Sequence, residues 1–221
     1  MDWAALFDWD GVIVDSSDYH EESWERLAEE EGRELPPGHF KKGFGMRNET
    51  IIPQILGWTE VPEEIRRLDR RKEELYRELI DEKGIEPLPG VESFLQRLHR
   101  ADIPCAVASS TERLNITFAL ERMGMSHEFK AVVAGEDVEN GKPDPEVFLT
   151  AAQKLGAEPE RCVVFEDAHV GIEAGLAAGM KVIAVSTTHP AETLRDAHLV
   201  VGGLDELSVQ TVTDTLGLST Q

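Results

Sequence analysis

Four short stretches hold residue types that could do chemistry together. Phe7-Asp8-Trp9-Asp10-Gly11 sets two carboxylates two positions apart, where both can face one cleft, and Gly11 lets the backbone turn behind them. An Asx-type turn closing a strand would use the same residues. Ala108-Ser109-Ser110-Thr111 offers hydroxyls just before a helical pattern, where N–H groups and hydroxyls form an anion site. A plain N-cap needs only one of the three. Lys142 precedes Pro143-Asp144-Pro145, and Pro143 disfavours a helical backbone at the lysine, so the loop is stiff. Phe165-Glu166-Asp167 adds two acids before Gly171 and another helix. Helix capping accounts for one of those acids and not for the second.

Gathered together, these side chains need a counter-ion. Two like charges about 4 Å apart repel by roughly 4 kcal/mol at an effective dielectric near 20. Four carboxylates at neighbouring strand ends therefore call for a cation or for raised pKa values. An all-oxygen donor set favours a hard ion that keeps several waters, which points to Mg²⁺. A divalent ion, a carboxylate nucleophile, an acid/base carboxylate, hydroxyl donors and a lysine together suit phosphoryl transfer, where positioning and charge stabilisation carry the work.

The elements that must position them are legible in the pattern. Short apolar runs without polar alternation occur at Ala4–Phe7, Cys105–Ala108, Ala131–Ala134, Cys162–Phe165, Lys181–Val185 and Leu199–Val201. After residue 86 they alternate with helical patterns at Val91–Arg100, Leu114–Met123, Glu146–Leu155 and Ile172–Ala178. That alternation predicts a Rossmann-like α/β core, a parallel sheet covered by helices on both faces. Ligands of such sheets bind outside the carboxyl ends of the strands, where the four stretches lie. Val12-Ile13-Val14 is expected to continue extended. From there to about Glu86 the chain reads as helical: Tyr19–Glu31, a Gly- and Lys-containing connector from Pro36 to Arg47, Asn48–Leu56 and Val61–Lys83. The expected organisation is a catalytic core of residues 1–15 and 86–221, with an all-helical insertion at 16–85.

Composition limits the partners. The 221 residues are 41% hydrophobic and carry a formal charge of −21, a folded acidic chain whose field repels polyanions such as nucleic acids or anionic lipid. Residues 16 to 86 hold 12 of the 22 basic residues, leaving 10 basic against 24 acidic outside. Basic residues of the insertion, with Lys142 and Mg²⁺, would reverse that field around an anionic substrate. No apolar run approaches a membrane span, and Met1-Asp2-Trp3 lacks the basic flank of a signal peptide, so a cytoplasmic location is expected. Cys105 and Cys162 fall within buried strands and read as reduced core thiols. No Gly-x-Gly-x-x-Gly follows the first strand, which argues against a dinucleotide site.

In order and spacing, Asp8-x-Asp10-Gly-x-x-x-Asp15, Ser109, Lys142-Pro and Glu166-Asp167 resemble the four motifs of the haloacid dehalogenase superfamily. The insertion after the first motif resembles the helical cap of its β-phosphoglucomutase-like branch. The resemblance implies that Asp8 is the nucleophile that becomes aspartyl phosphate, and that Asp10 protonates the leaving oxygen and then activates the acceptor. It implies Mg²⁺ held by Asp8, the Asp10 carbonyl, Asp167 and Glu166, directly or through water, with Ser109 and Lys142 on the transferring phosphoryl group. Ser110 and the cap residues His20, Arg47 and Lys72 would contact substrate, although charges in a run such as Arg70-Arg71-Lys72 are ordinarily solvated. Hinges near Asp15–Ser17 and Glu86–Gly90 would let the cap gate turnover.

Within the superfamily, dehalogenases and phosphonate hydrolases lack the second aspartate, so Asp10 argues for a phosphatase or a sugar-phosphate mutase. The mutases place a lysine after the hydroxyl run to hold a second phosphate. Here Glu112 stands there, which favours hydrolysis, while Arg113 beside it is the candidate to stand in for that lysine. The expected activity is a Mg²⁺-dependent phosphatase of a small phosphorylated metabolite, a sugar phosphate, in a monomer or small homo-oligomer without nucleic-acid or membrane partners. The alternatives are β-phosphoglucomutase and a non-enzymatic receiver-like module in which phosphorylated Asp8 signals to a partner.

Overall fold

The computed structural model describes residues 3–43 and 46–217. The chain divides into two compact units, Met1–Asp15 with Glu86–Gln221, and Ser16–Ile85.

The first unit is built on six parallel strands: β1 (Ala4–Phe7), β2 (Cys105–Ala108), β3 (Ala131–Val133), β4 (Cys162–Glu166), β5 (Lys181–Val185) and β6 (Leu199–Val201). Their order is β3-β2-β1-β4-β5-β6, so the winding reverses where β1 meets β4. Every residue of β1, β2 and β4 is buried, because helices cover both faces. On one face Ala4, Leu6, Val164 and Val182 pack with Phe148 of α7 (Glu146–Leu155) and Ile172 of α8 (His169–Ala177). On the other, Phe94 of α5 (Val91–Arg100) meets Phe7 and Phe165 edge-on. Phe7 and Phe165 stack at 4.6 Å, which locks the ends of β1 and β4 side by side just before Asp8 and Glu166. Burying each such ring stabilises the fold by about 1.5–3 kcal/mol. The remaining helices of this unit are α6 (Arg113–Arg122) and α9 (Val209–Leu216).

Three expectations need correction here. Residues 11–13 form a turn rather than an extended continuation: Gly11 N donates to Val14 O, while Ile13 N and Val14 N both donate to Trp9 O. Gly11 has φ +75°, which breaks the strand in spite of the β-branched run that follows. The Pro36–Arg47 connector contains a short helix, α2 (His39–Gly43). Helix α9 had no counterpart in the sequence pattern. Cys105 and Cys162 are buried thiols without a disulfide, each pushed up to about 12 by burial.

The second unit is helical: α1 (Ser17–Glu31), α2, α3 (Asn48–Thr50) running on as a π-turn at Ile51–Leu56, and α4 (Pro62–Lys83). Trp24 and Leu27 of α1 pack against Ile51, Ile52 and Leu56 and against Leu68 and Leu75 of α4. The rims of α1 and α4 are laced by ion pairs, Arg26 with Glu22 and Glu82, Arg67 with Glu31, and Arg71 with Glu30 and Glu78. Much of this unit's positive charge is thus matched by its own glutamates. The expectation that its basic residues as a group reverse the field on a substrate does not hold for these arginines. No described helix is long and apolar enough to cross a membrane.

Candidate active site

The strand ends at the β1/β4 switch carry the densest chemistry. Asp8 follows β1 directly, and its N–H donates to Phe165 O at 2.9 Å, so the two strand ends leave the sheet together. Lys142, held in the Pro-flanked loop before α7, places Nζ 2.8 Å from Asp8 Oδ1 and 2.6 Å from Glu166 Oε1. The ring of Phe148 lies 5.0 Å from the ammonium. Glu166 is wholly buried, and its second oxygen accepts from Ala168 N at 2.7 Å. Helix α8 can press onto it because residue 171 is glycine; a Cβ there would fall 1.6 Å from Glu166 Oε1. Asp167 is buried too, and its Oδ2 accepts from the Thr188 hydroxyl. Gly11 backs onto the same carboxylate, where a Cβ would lie 2.0 Å from Oδ2.

Carboxylate oxygens of Asp8, Glu166 and Asp167 lie within 4.8 Å of one another. Burial raises both the Glu166 and Asp167 carboxyls above the ordinary carboxylate range. For Glu166, Lys142 pulls the value back and Asp8 pushes it up; for Asp167, Glu166 and Asp8 add to the rise. Burial also works against the charge of Lys142, but Asp8 and Glu166 outweigh it and raise that pKa. Three buried acids around one ammonium leave a surplus of negative charge, made of hard oxygen donors. That donor set fits a divalent cation of the Mg²⁺ kind.

Asp10 takes a different direction. Its Oδ2 accepts from the Thr111 hydroxyl at 2.5 Å, so its carboxyl is tied to the loop after β2. Ser109 is buried at the end of β2, and its Oγ accepts from Thr111 N at 3.1 Å. The N-cap of α6 is Glu112, with no side-chain cap bond, so the hydroxyl run is not consumed in capping. Ser110 is exposed beside it. The contacts of Thr111 with Asp10 and of Thr188 with Asp167 had not been foreseen. Both threonines follow strand ends, so searching every strand end for hydroxyls, β5 included, would have found them.

In the helical unit, His20 and Lys72 come together. Lys72 Nζ lies 2.6 Å from His20 Nδ1 and 3.0 Å from Glu73 Oε1, between the rings of Trp24 and Tyr76. Lys72 is only 2% exposed, so the reading of its run as solvated is wrong at this position. Glu73 also accepts from Asn48 Nδ2 at 2.6 Å. Arg47 is exposed at the N-cap of α3. Arg113, considered as a stand-in for a phosphate-binding lysine, instead pairs with Asp137 and donates to Val132 O at 3.0 Å. Its guanidinium is tied to the β3 side of the sheet.

A family model described as haloacid dehalogenase-like hydrolase matches residues 5–185. The chain belongs to that family. Its relatives in this hydrolase family include the chloroplastic 5-amino-6-(5-phospho-D-ribitylamino)uracil phosphatase of Arabidopsis thaliana, 41% identical over 208 residues. That match covers 93% of the chain and 55% of the plant protein, so the chain spans about half of its length. Hexitol phosphatase A of Escherichia coli is 32% identical, with 92% of each covered. Among solved structures, β-phosphoglucomutase from Clostridium difficile superposes with a TM-score of 0.85 at 30% identity, covering 98% of each chain. The chain thus sits in the β-phosphoglucomutase-like branch of haloacid dehalogenase-like hydrolases, with their Rossmann-like parallel sheet.

Proposed function

We propose that this haloacid dehalogenase-like hydrolase is a Mg²⁺-dependent phosphatase of a small phosphorylated metabolite, working through an aspartyl phosphate on Asp8. The observation that carries the reading is Lys142 bridging Asp8 and Glu166 beside Asp167 at the sheet's switch point. Asp8, Asp167 and the Asp10 carbonyl would hold the ion, with Glu166 reached through water because its own oxygens are engaged by Lys142 and Ala168 N. When bound, Mg²⁺ neutralises charge on the phosphoryl oxygens and on the carboxylates around it.

The side chains then divide the work. Lys142 is the counter-ion of Asp8, and a carboxylate oxygen of Asp8 attacks phosphorus while the bond to the leaving oxygen breaks. Asp10, protonated at that point, gives its proton to the departing alkoxide. In the second step Asp10, now ionised, takes a proton from water, whose oxygen attacks the phosphorus of the aspartyl phosphate. Inorganic phosphate leaves and Asp8 is restored. Ser109 and Lys142 donate to the phosphoryl oxygens as charge builds on them. His20, Arg47, Lys72 and Ser110 are assigned to the substrate side, with Lys72 acting through His20 because it is enclosed in the cap. The two phosphatase relatives are named for substrates with a polyhydroxylated chain bearing phosphate, which supports a sugar or polyol phosphate as the substrate class.

Hydrolysis is favoured over mutase chemistry by one local fact. Glu112 occupies the position of the mutase lysine, and Arg113 is committed to Asp137 and Val132 rather than to a second phosphate. Incubation with β-glucose 1-phosphate and Mg²⁺ separates the two: free phosphate dependent on Asp8 supports the phosphatase. Isomerisation to glucose 6-phosphate without phosphate release overturns it.

A further inference from the structure

We propose that Thr111 is a positioning residue for the acid/base carboxylate of Asp10, and that it couples Asp10 to the phosphate-binding hydroxyl of Ser109. The proposal rests on the roles given above to Asp10 and Ser109, and goes beyond them in naming what holds the two in register.

Thr111 is bonded through three of its groups. Its hydroxyl donates to Asp10 Oδ2 at 2.5 Å, across 101 positions of sequence. Its N–H donates to Ser109 Oγ at 3.1 Å. Its carbonyl accepts from Gly135 N at 3.1 Å, in the loop after β3. The close approach of that loop depends on glycine, since a Cβ at 135 would lie 2.3 Å from Ser110 O. The backbone of Thr111 is therefore clamped from two sides, and its hydroxyl is held where the β1 loop passes.

The consequence is chemical. A carboxyl group rotates about its Cβ–Cγ bond, and only a fixed partner selects one orientation. A hydroxyl has one hydrogen to donate, and Thr111 gives it to Oδ2. When Asp10 is protonated, an Oδ2 that accepts this bond serves as the carbonyl-type oxygen, so the acid proton resides on Oδ1. Thr111 thus selects which oxygen carries the proton delivered to the leaving group. Because its N–H orients Ser109 as well, the donor of the proton and one holder of the phosphoryl group move as a unit.

The test uses leaving groups of different need. p-Nitrophenolate departs without a proton, whereas a sugar alkoxide requires one. Thr111→Val keeps the shape and removes the donor; Thr111→Ser keeps the donor. With glucose 6-phosphate, Thr111→Val is expected to lower kcat about 30-fold with KM within about twofold. With p-nitrophenyl phosphate, a rapid burst of about one p-nitrophenolate per enzyme should survive, followed by turnover slowed to a similar degree, since water attack still needs Asp10 as base. Thr111→Ser should return both substrates to within about threefold of wild type.

An unaltered kcat in Thr111→Val overturns the proposal. So does loss of the burst together with turnover, which would mark a disturbed Ser109 rather than a misplaced acid. Failure of the serine to rescue overturns it as well. Asp10→Asn serves as the reference. If Asp10→Asn hydrolyses glucose 6-phosphate at the wild-type rate, the acid/base reading of Asp10 falls and this proposal with it. If Asp10→Asn is inactive and Thr111→Val is not impaired, only the Thr111 proposal falls.

Discussion

Two buried lysines, one in each unit, sit in settings that resemble each other at first sight. Lys142 lies between two carboxylates with an aromatic ring 5.0 Å away, and Lys72 lies between a histidine and a carboxylate with rings at 5.6 and 5.5 Å. The difference is in the balance of charge. Around Lys142 three acids converge, and burial with mutual repulsion raises the Glu166 and Asp167 carboxyls. Lys72 contacts one carboxylate and one neutral imidazole, and Asn48 donates both to Glu73 and to the neighbouring Asp69, whose carboxyl is raised by burial. A surplus of one sign in a buried cluster implies something still to be bound, whereas a balanced cluster is complete as it stands. On the proposed function the core lysine takes part in the chemistry, while the cap lysine only orients His20 from within an enclosed, charge-balanced cluster.

The sharpest way to break this contrast is to remove each ammonium in turn. On the proposed mechanism Lys142→Ala is expected to lower kcat by about 10³-fold, because it removes a donor to the transferring group and the counter-ion of Asp8. Lys72→Met should change kcat by less than about tenfold. It should instead destabilise the fold by about 3 kcal/mol in a denaturant titration, by leaving Glu73 buried without its cation. If Lys72→Met loses as much kcat as Lys142→Ala at unchanged stability, the division between the two lysines is wrong.

The same contrast shows how far the sequence could be read. The bounds of α5, β2, α7, β5 and β6 follow the apolar pattern closely, because a parallel strand covered on both faces and an amphipathic helix leave strong local signatures. Asp8, Lys142, Glu166 and Asp167 could be gathered from strand-end logic alone, and they do meet. The turn at Gly11 escaped because Val12-Ile13-Val14 has strand propensity that one positive φ overrides. Helix α9, VQTVTDTL, is rich in β-branched residues, and its start depends on the Ser208 cap accepting from Thr211 N. Lys72 looked solvated because one-dimensional charge runs do not say which member faces inward. Thr111 and Thr188 follow strand ends and so are findable as candidates, but their partners lie 101 and 21 positions away, a pairing set by strand register that no local pattern encodes.

A second experiment sharpens the core side. Raised carboxyls hold protons in the metal-free protein that the unfolded chain has already lost, so stability falls as pH rises from about 4 toward 8. A divalent ion must displace those protons, which makes its affinity fall as pH drops. Titration with Mg²⁺ by calorimetry should show binding weakening by about tenfold per pH unit between pH 8 and 6, with protons released on binding. Affinity that is flat across this range, without proton release, would mean that the acids are already ionised and that their protons are not what the metal must displace.

The smallest effect belongs to the cap and carries the opposite sign. His20 stacks on Tyr76 at 4.3 Å, and burial first, then Lys72, lower its pKa to about 3, with Glu73 opposing. An imidazole that accepts from an ammonium at Nδ1 is neutral and carries its hydrogen on Nε2. The unfolded chain protonates this histidine near pH 6.5, the folded chain only near 3, so between those values the unfolded state holds the extra proton. Stability therefore rises with pH through that window and is lost as pH falls from about 6.5, by at most about 1.4 kcal/mol per unit. His20→Gln, which keeps an acceptor for Lys72 and cannot titrate, should flatten that part of the profile in thermal melts between pH 4 and 6.5. Identical slopes in wild type and His20→Gln would show that the imidazole is already protonated beside Lys72. The cap cluster would then carry an uncompensated positive charge, and the contrast with the core would become one of sign rather than of balance.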